Sequence, residues 1–208
     1  MKSQRRAADG PIIPAHPAQA LSEITRAWEA FVASGEFRGR TPRPHIARAW
    51  QRCRELGISP LTERTPTVLS QDEIEAALRR EDLGSVGRQV LDEFEAAVEG
   101  TSHVIVLADA EGRIIHAAGH RKLQRYTERL NFMPGGAWAE SVAGPNGVGT
   151  PLAIGRPDLV FGSEHYCRDF HPWVCYGCPV RAPGRGRIIG VVDLSGPAAK
   201  AQVPAFAL

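Results

Sequence analysis

Four cysteines are too few to staple 208 residues, so the chain is not a disulfide scaffold. No apolar run approaches the roughly 18 residues that mark a membrane-crossing helix. The formal net charge is only +2, which gives no global pull toward nucleic acid or an acidic membrane. Lys2, Arg5 and Arg6 open the chain, but Ala and Pro follow where a secretory signal would place an apolar stretch. The cytoplasm is therefore the expected compartment. No G-x-x-x-x-G-K-[ST] phosphate loop occurs, and no internal repeat is visible. What is present is an ordinary globular balance, 43% hydrophobic and 23% charged. At this length it suggests one domain with a helical extension.

Residues 1–20 are rich in Ala and Pro and read as a disordered lead. Residues 21–99 read as a helical region. Leu21, Ile24, Trp28, Phe31 and Val32 recur at spacings of three and four, which predicts an amphipathic helix. That stripe either packs on the following domain or forms the seam of a homodimer. Residues 37–54 hold six arginines and no acids, with Pro44 placed to open a helix through Ile46, Trp50 and Cys53. A basic helix invites a nucleic-acid reading. Residues 70–99, however, hold nine acids against three basic residues, so packing of one run beside the other explains both without direct nucleic-acid contact. Ser70-Gln-Asp-Glu73 is a capping box. Val90, Leu91, Phe94 and Val98 mark a further helix ending at Gly100.

Beyond residue 100 the period changes. Ser102–Asp109 and Arg113–Ala118 read as two strands turned by Glu111 and Gly112. Leu159–Phe161, Trp173–Arg181 and Arg187–Leu194 read as three more, with a turn at Pro183–Gly186. Residues 120–130 read as a charged helix, and 131–157 as loop with short helix. Helices first and a mainly antiparallel sheet after is an α+β plan.

Three constellations carry possible chemistry. His165, Cys167, His171, Cys175 and Cys178 are suitable ligands for zinc or iron. Strand alternation opposes that reading, because Cys175 and Cys178 share a face only if Gly177 bulges. Gly144-Pro-Asn146-Gly147-Val-Gly149-Thr150 is either a tight structural loop or a cradle whose N–H groups receive an anion, with Asn146 as a helix cap. Glu140, Glu164 and His165 are able to bind a polar ligand; equally, Glu140 pairs an arginine and Glu164 caps a helix. Around these, Trp138, Phe161, Tyr166, Phe170, Trp173 and Tyr176 suit either a cavity lining or an ordinary core.

Taken in order, Trp138-Ala-Glu140, the Gly144–Thr150 loop, Glu164-His165-Tyr166, Trp173-Val-Cys175 with Pro179, and Gly190-Val-Val-Asp193-Leu-Ser-Gly196 form one pattern. It resembles the GAF-type sensory domain of bacterial enhancer-binding transcription activators of the acetoin- and glycerol-catabolism regulator group. The resemblance implies a GAF-like antiparallel sheet over residues 100–196, flanked by helices, and a sensor rather than an enzyme. It implies a small-molecule effector held by Trp138, Asn146, Glu164, His165, Tyr166 and Cys175, with no cofactor, and a signal passed through helices and oligomer state. The family's ATPase and helix-turn-helix are expected to be absent from this chain, which reads as either a fragment or a stand-alone sensor, and its final helix to be truncated in the 197–208 tail. The alternative is a metal or redox sensor built on the five His and Cys residues.

Overall fold

The computed structural model describes residues 17–37, 41–80, 83, 98, 101–119, 121–184 and 186–200. Three helices come first: α1 (Pro17–Ser34), α2 (Pro44–Glu55) and α3 (Gln71–Leu78). Helix α1 starts at Pro17, so the last four residues of the expected lead are helical. Proline suits a first helical turn, whose N–H groups have no partner inside the helix. The capping box of α3 forms as read: Glu73 donates its N–H to Ser70 Oγ, and Ser70 donates its N–H to Glu73 Oε2 at 2.8 Å. Of the helix expected to end at Gly100, most lies outside the described residues.

The sheet has five strands: β1 (Val104–Asp109), β2 (Ile114–Gly119), β3 (Asp158–Phe161), β4 (Trp173–Arg181) and β5 (Ile188–Pro197). Their order is β2-β1-β5-β4-β3, and every pairing is antiparallel. The architecture is α+β, as the change of period predicts. The hairpin pairs Val106 with Ala117 and Leu107 with His116. Asp109 shapes its turn by accepting the N–H groups of Glu111 and Arg113. Helix α4 (Arg121–Leu130) and the short α5 (Glu140–Ala143) and α6 (Gly149–Ile154) lie between β2 and β3.

Both faces of the sheet are covered, which is why β1 reads as a continuous apolar run rather than an alternation. Ile105 and Leu107 lie on the face where the buried core includes Leu69, Ile74, Leu83, Ile115 and Ile189. Val104, Val106 and Ala108 join Phe132, Trp138, Phe170, Trp173 and Cys175 in the core on the other face.

The α1 stripe packs within the chain. Trp28 and Phe31 join Ile46, Trp50 and Cys53 of α2, Val160 of β3 and Tyr166 in one buried cluster. Truncating an aromatic in such a cluster costs about 3–5 kcal/mol. The stripe is therefore spent inside the protomer and is not a free dimer seam. The arginines of α2 also find partners other than those expected. Arg43 binds Asp158 at 2.7 Å and Glu164, and Arg52 binds Glu140. The acids that pair Arg43 and Arg52 thus come from β3, the β3–β4 connection and α5, not from the described part of 70–99.

Candidate functional site

A small cavity, with room for about one water molecule, lies on the sheet face covered by the 131–171 segment. Leu130, Phe132, Trp138, Asn146, His165, Phe170, Trp173, Cys175 and Ser195 line it, and the surface they expose to it is apolar. Four of the residues expected at an effector site, Trp138, Asn146, His165 and Cys175, thus meet in one place. Glu164 and Tyr166 do not line it. The Glu164 carboxylate turns to Arg43 and accepts the Phe161 N–H at 3.0 Å. Tyr166 is buried against α1 and α2. They neighbour His165 in sequence, but the bends on either side of the short 3₁₀ turn 162–164 send the three side chains in different directions.

The Gly-rich loop is a structural lock rather than an anion cradle. Asn146 Nδ2 donates to Trp138 O and Gly144 O, at 2.9 and 2.8 Å. Its Oδ1 accepts the N–H groups of Val148 and Gly149, at 2.8 and 2.9 Å. Those are the N–H groups an anion would need, and they are already satisfied. Two glycines let the loop lie directly on the sheet. A Cβ on Gly147 would meet Asp193 Oδ1 at 1.9 Å, and one on Gly177 would meet Gly147 O at 1.7 Å. Glu140 takes the structural role open to it, held by Arg52 and by the Thr150 hydroxyl.

His165 is 1% exposed and neutral, because burial lowers its pKa to about 3. Its Nδ1 lies 2.8 Å from Gly162 O, which only accepts, so Nδ1 carries the proton and Nε2 is an acceptor. Nε2 faces Cys175 Sγ at 3.3 Å, and the thiol donates to it. Burial, followed by the nearby Asp193 carboxyl, pushes the Cys175 pKa well up, so the sulfur stays a thiol. Cys175 pairs across the sheet with Ser195. The Ser195 hydroxyl donates to Asp193 Oδ2 at 2.6 Å. Asp193 is fully buried, and burial raises its pKa to about 7.

Ser195 and Asp193 are site residues that the motif reading passed over. Their signal was present: two polar residues at i and i+2 in a buried strand share one face. Phe170 and Trp173 were among the aromatics read as suiting a cavity lining, whereas Leu130 and Phe132 carried no comparable signal, because only the fold brings the end of α4 and the residues after it to the cavity.

The metal alternative loses its geometry. β4 runs in unbroken register through Gly177, so Cys178 faces away from Cys175 and is exposed. The Cys167 thiol points to Ser59 O and Ala143 O. His171 Nε2 donates to His165 O at 3.2 Å. Among the described residues no group of three or more His, Cys, Asp or Glu side chains is placed to hold a metal.

Outside the cavity, three successive carbonyls are gripped by ring N–H groups. Trp50 donates to Glu164 O at 2.8 Å, His171 to His165 O, and Trp28 to Tyr166 O at 2.8 Å. Thr25 of α1 bonds Ser163 at 2.7 Å, and Ser163 bonds His171 Nδ1 at 3.2 Å. The segment that carries His165 is thus held from behind by α1 and α2.

Comparison with known proteins agrees with this architecture. The chain is 31% identical over 176 residues to the acetoin dehydrogenase operon transcriptional activator AcoR of Bacillus subtilis, covering 84% of this chain and 29% of that protein. It is 32% identical over 180 residues to the propane 2-monooxygenase operon transcriptional activator MimR of Mycolicibacterium goodii, covering 86% of this chain and 30% of that protein. A chain of the solved E. coli DhaR(N)–DhaL complex shares the fold, with a TM-score of 0.71 at 19% identity over 77% of this chain and 55% of that chain. The chain thus spans about a third or less of the two curated relatives. Fold and kinship define the class: a GAF-like regulatory domain of transcription activators, not an enzyme. The chain belongs to the MimR N-terminal domain family, whose model matches residues 20–208.

Proposed function

We propose that this chain is a cytoplasmic signal-sensing domain that binds a compact small-molecule effector in the cavity beside His165 and Cys175. The observation that carries the reading is the position of residues 163–166. Their side chains and carbonyls join the cavity on one side to α1 and α2 on the other. An effector that shifts His165 moves the carbonyls held by Trp28 and Trp50, and so biases the packing of both helices. Among the described residues no helix is long and apolar enough to cross a membrane.

The output ATPase and DNA-binding steps belong, on this reading, to the rest of a longer protein of the relatives' kind. Self-association needs a surface other than the α1 stripe. The DhaR relative is described in complex with a protein, DhaL. Here an open groove bordered by Arg52, Leu56, Glu111, Glu140 and Leu152 is the face for a protein partner, with Leu56 59% exposed at its rim.

Thermal-shift screening of a metabolite library tests the effector site. A compact ligand should raise the melting temperature of the wild-type chain and not that of Ser195→Leu, whose larger side chain fills the cavity. Ligands that stabilise both proteins equally would place binding elsewhere.

A further inference from the structure

Among the described residues the buried acids are Asp109, Asp158, Glu164 and Asp193. Arg113 meets Asp109, and Arg43 meets both Asp158 and Glu164. Asp193 differs. It is 0% exposed, no described cation pairs with it, and its Oδ1 has no hydrogen-bond partner. A carboxylate in that setting loses its hydration without a counter-charge, whereas the neutral acid loses far less.

The surroundings are uncharged on each side that packs against it. β1 sets Val106 opposite Asp193 and Val104 opposite Ser195. β4 sets Gly177 opposite Asp193 and Cys175 opposite Ser195. The Gly-rich loop lays Gly147 on both acid and thiol: a Cβ there would meet Asp193 Oδ1 at 1.9 Å and Cys175 Cβ at 2.7 Å. Helix α6, Gly149–Ile154, has no ionisable side chain, and the nearby Glu140 is held by Arg52 and Thr150. Cys175 is the titratable group that faces the acid, with His165 beyond it.

These groups form a chain with two polarities. Ser195 Oγ lies 2.6 Å from Asp193 Oδ2 and is also a hydrogen-bond partner of Cys175 Sγ, which lies 3.3 Å from His165 Nε2. His165 Nδ1 gives its proton to Gly162 O, so Nε2 only accepts. With Asp193 protonated, every donor points one way: Asp193 to Ser195, Ser195 to Cys175, Cys175 to His165. With Asp193 ionised, the Ser195 hydroxyl turns back to the carboxylate and the Ser195–Cys175 bond is lost. Burial raises the Asp193 pKa to about 7, lowers that of His165 to about 3 and keeps Cys175 a thiol. Around neutral pH, Asp193 is therefore the member of the chain that titrates.

We propose that Asp193 is a proton switch: as an acid it completes the one-way chain to His165 and keeps the Gly-rich loop seated on the sheet, and as a carboxylate it breaks the chain and loosens that loop. The reason is the unmet Oδ1 under Gly147. A charge there gains hydration only if the loop lifts. The switch needs no ligand, so it stands apart from the effector reading.

The test is carboxyl-carbon NMR of the aspartates together with amide exchange from about pH 5.5 to 8.5. Asp193, assigned through its backbone or by its loss in Asp193→Asn, should titrate near neutrality. Exchange protection of the Val148 and Gly149 amides, corrected for intrinsic rates, should fall by roughly tenfold or more over that range, and by more than that of Val106 and Leu107. In Asp193→Asn, whose amide donates to Ser195 as the acid does, loop protection should stay constant. The nitrogen signal of His165 Nε2 should move with the Asp193 midpoint in the wild-type chain and stop responding in Cys175→Ala. An Asp193 already ionised at pH 5.5 would overturn the switch. So would loop protection that falls no more than that of β1, or a His165 signal indifferent to the Asp193 titration. The carboxyl and wild-type exchange measurements decide the matter even where a variant does not fold.

Discussion

Asn146 shows how one side chain serves a whole loop. An asparagine amide offers two donors and an acceptor oxygen, and here every one of those capacities is used within the 138–149 segment. From the sequence, Asn146 reads as a helix cap and as an effector ligand. The structure makes it a ligand of the backbone first. Asn146→Ala removes four hydrogen bonds at a position only 1% exposed. It should cost about 2–4 kcal/mol in urea unfolding, because at least two backbone groups lose a buried partner. An unchanged midpoint would show that water takes over those bonds, and would return Asn146 to the list of pure ligand contacts. Glu164 teaches the reverse lesson. It stands beside His165 in the motif, yet its carboxylate belongs to Arg43 and to the cap of its own turn.

At the scale of elements, the coupling between helices and sheet rests on α2. Arg43 reaches Asp158 at the start of β3, the Leu159 carbonyl and Glu164, while His45 also bonds Asp158 at 2.8 Å. The nearby His45 and Arg43 hold the Asp158 pKa below its ordinary value despite burial. The side chains of Asp158 and Glu164 are only 1% and 8% exposed. Arg43→Ala leaves both carboxylates without their main cation, and should cost about 3 kcal/mol. It should also raise hydrogen exchange of α2 amides more than that of β1. Uniform acceleration across the chain would mean that α2 and the sheet unfold as a single unit. The elements themselves were legible from periodicity, capping and turn residues. The partners of Arg43 and Arg52 were not, because a run of arginines does not say which acids it meets until packing brings α2 against Asp158, Glu164 and Glu140.

Across the whole molecule, buried titratable groups shape the response to pH. Burial lowers His165 to about 3 and His171 to about 4, from an ordinary value of 6.5. Both are neutral in the fold, so the stability they carry is present above pH 6.5 and drains away as pH falls toward those values. Asp193 acts in the opposite sense. Burial raises it from 3.8 to about 7, so its contribution is full at low pH and is lost as pH rises through that range. Thermal stability should therefore peak near pH 6–7, with a steep acid limb set by the histidines and by Asp158. Asp193→Asn removes the opposing loss that Asp193 contributes, so stability should rise more steeply between pH 4 and 7 than in wild type. A variant whose pH profile runs parallel to wild type would show that Asp193 is not the titrating group.

The α+β plan, the hairpin at Glu111–Gly112 and the capped α3 follow from local rules: side-chain period, turn chemistry and the reach of a cap; the family was legible through the resemblance of its five motifs. Even the opposed faces of Cys175 and Cys178 follow from strand alternation. Only the tertiary structure decided that the α1 stripe packs inward, that Tyr166 leaves the cavity, and that Ser195 and Phe170 enter it. It also decided that Trp173, alone among the tryptophans, keeps a free N–H. Those facts depend on contacts between residues far apart in sequence, and such contacts are set by how the layers pack, which no short window of sequence contains.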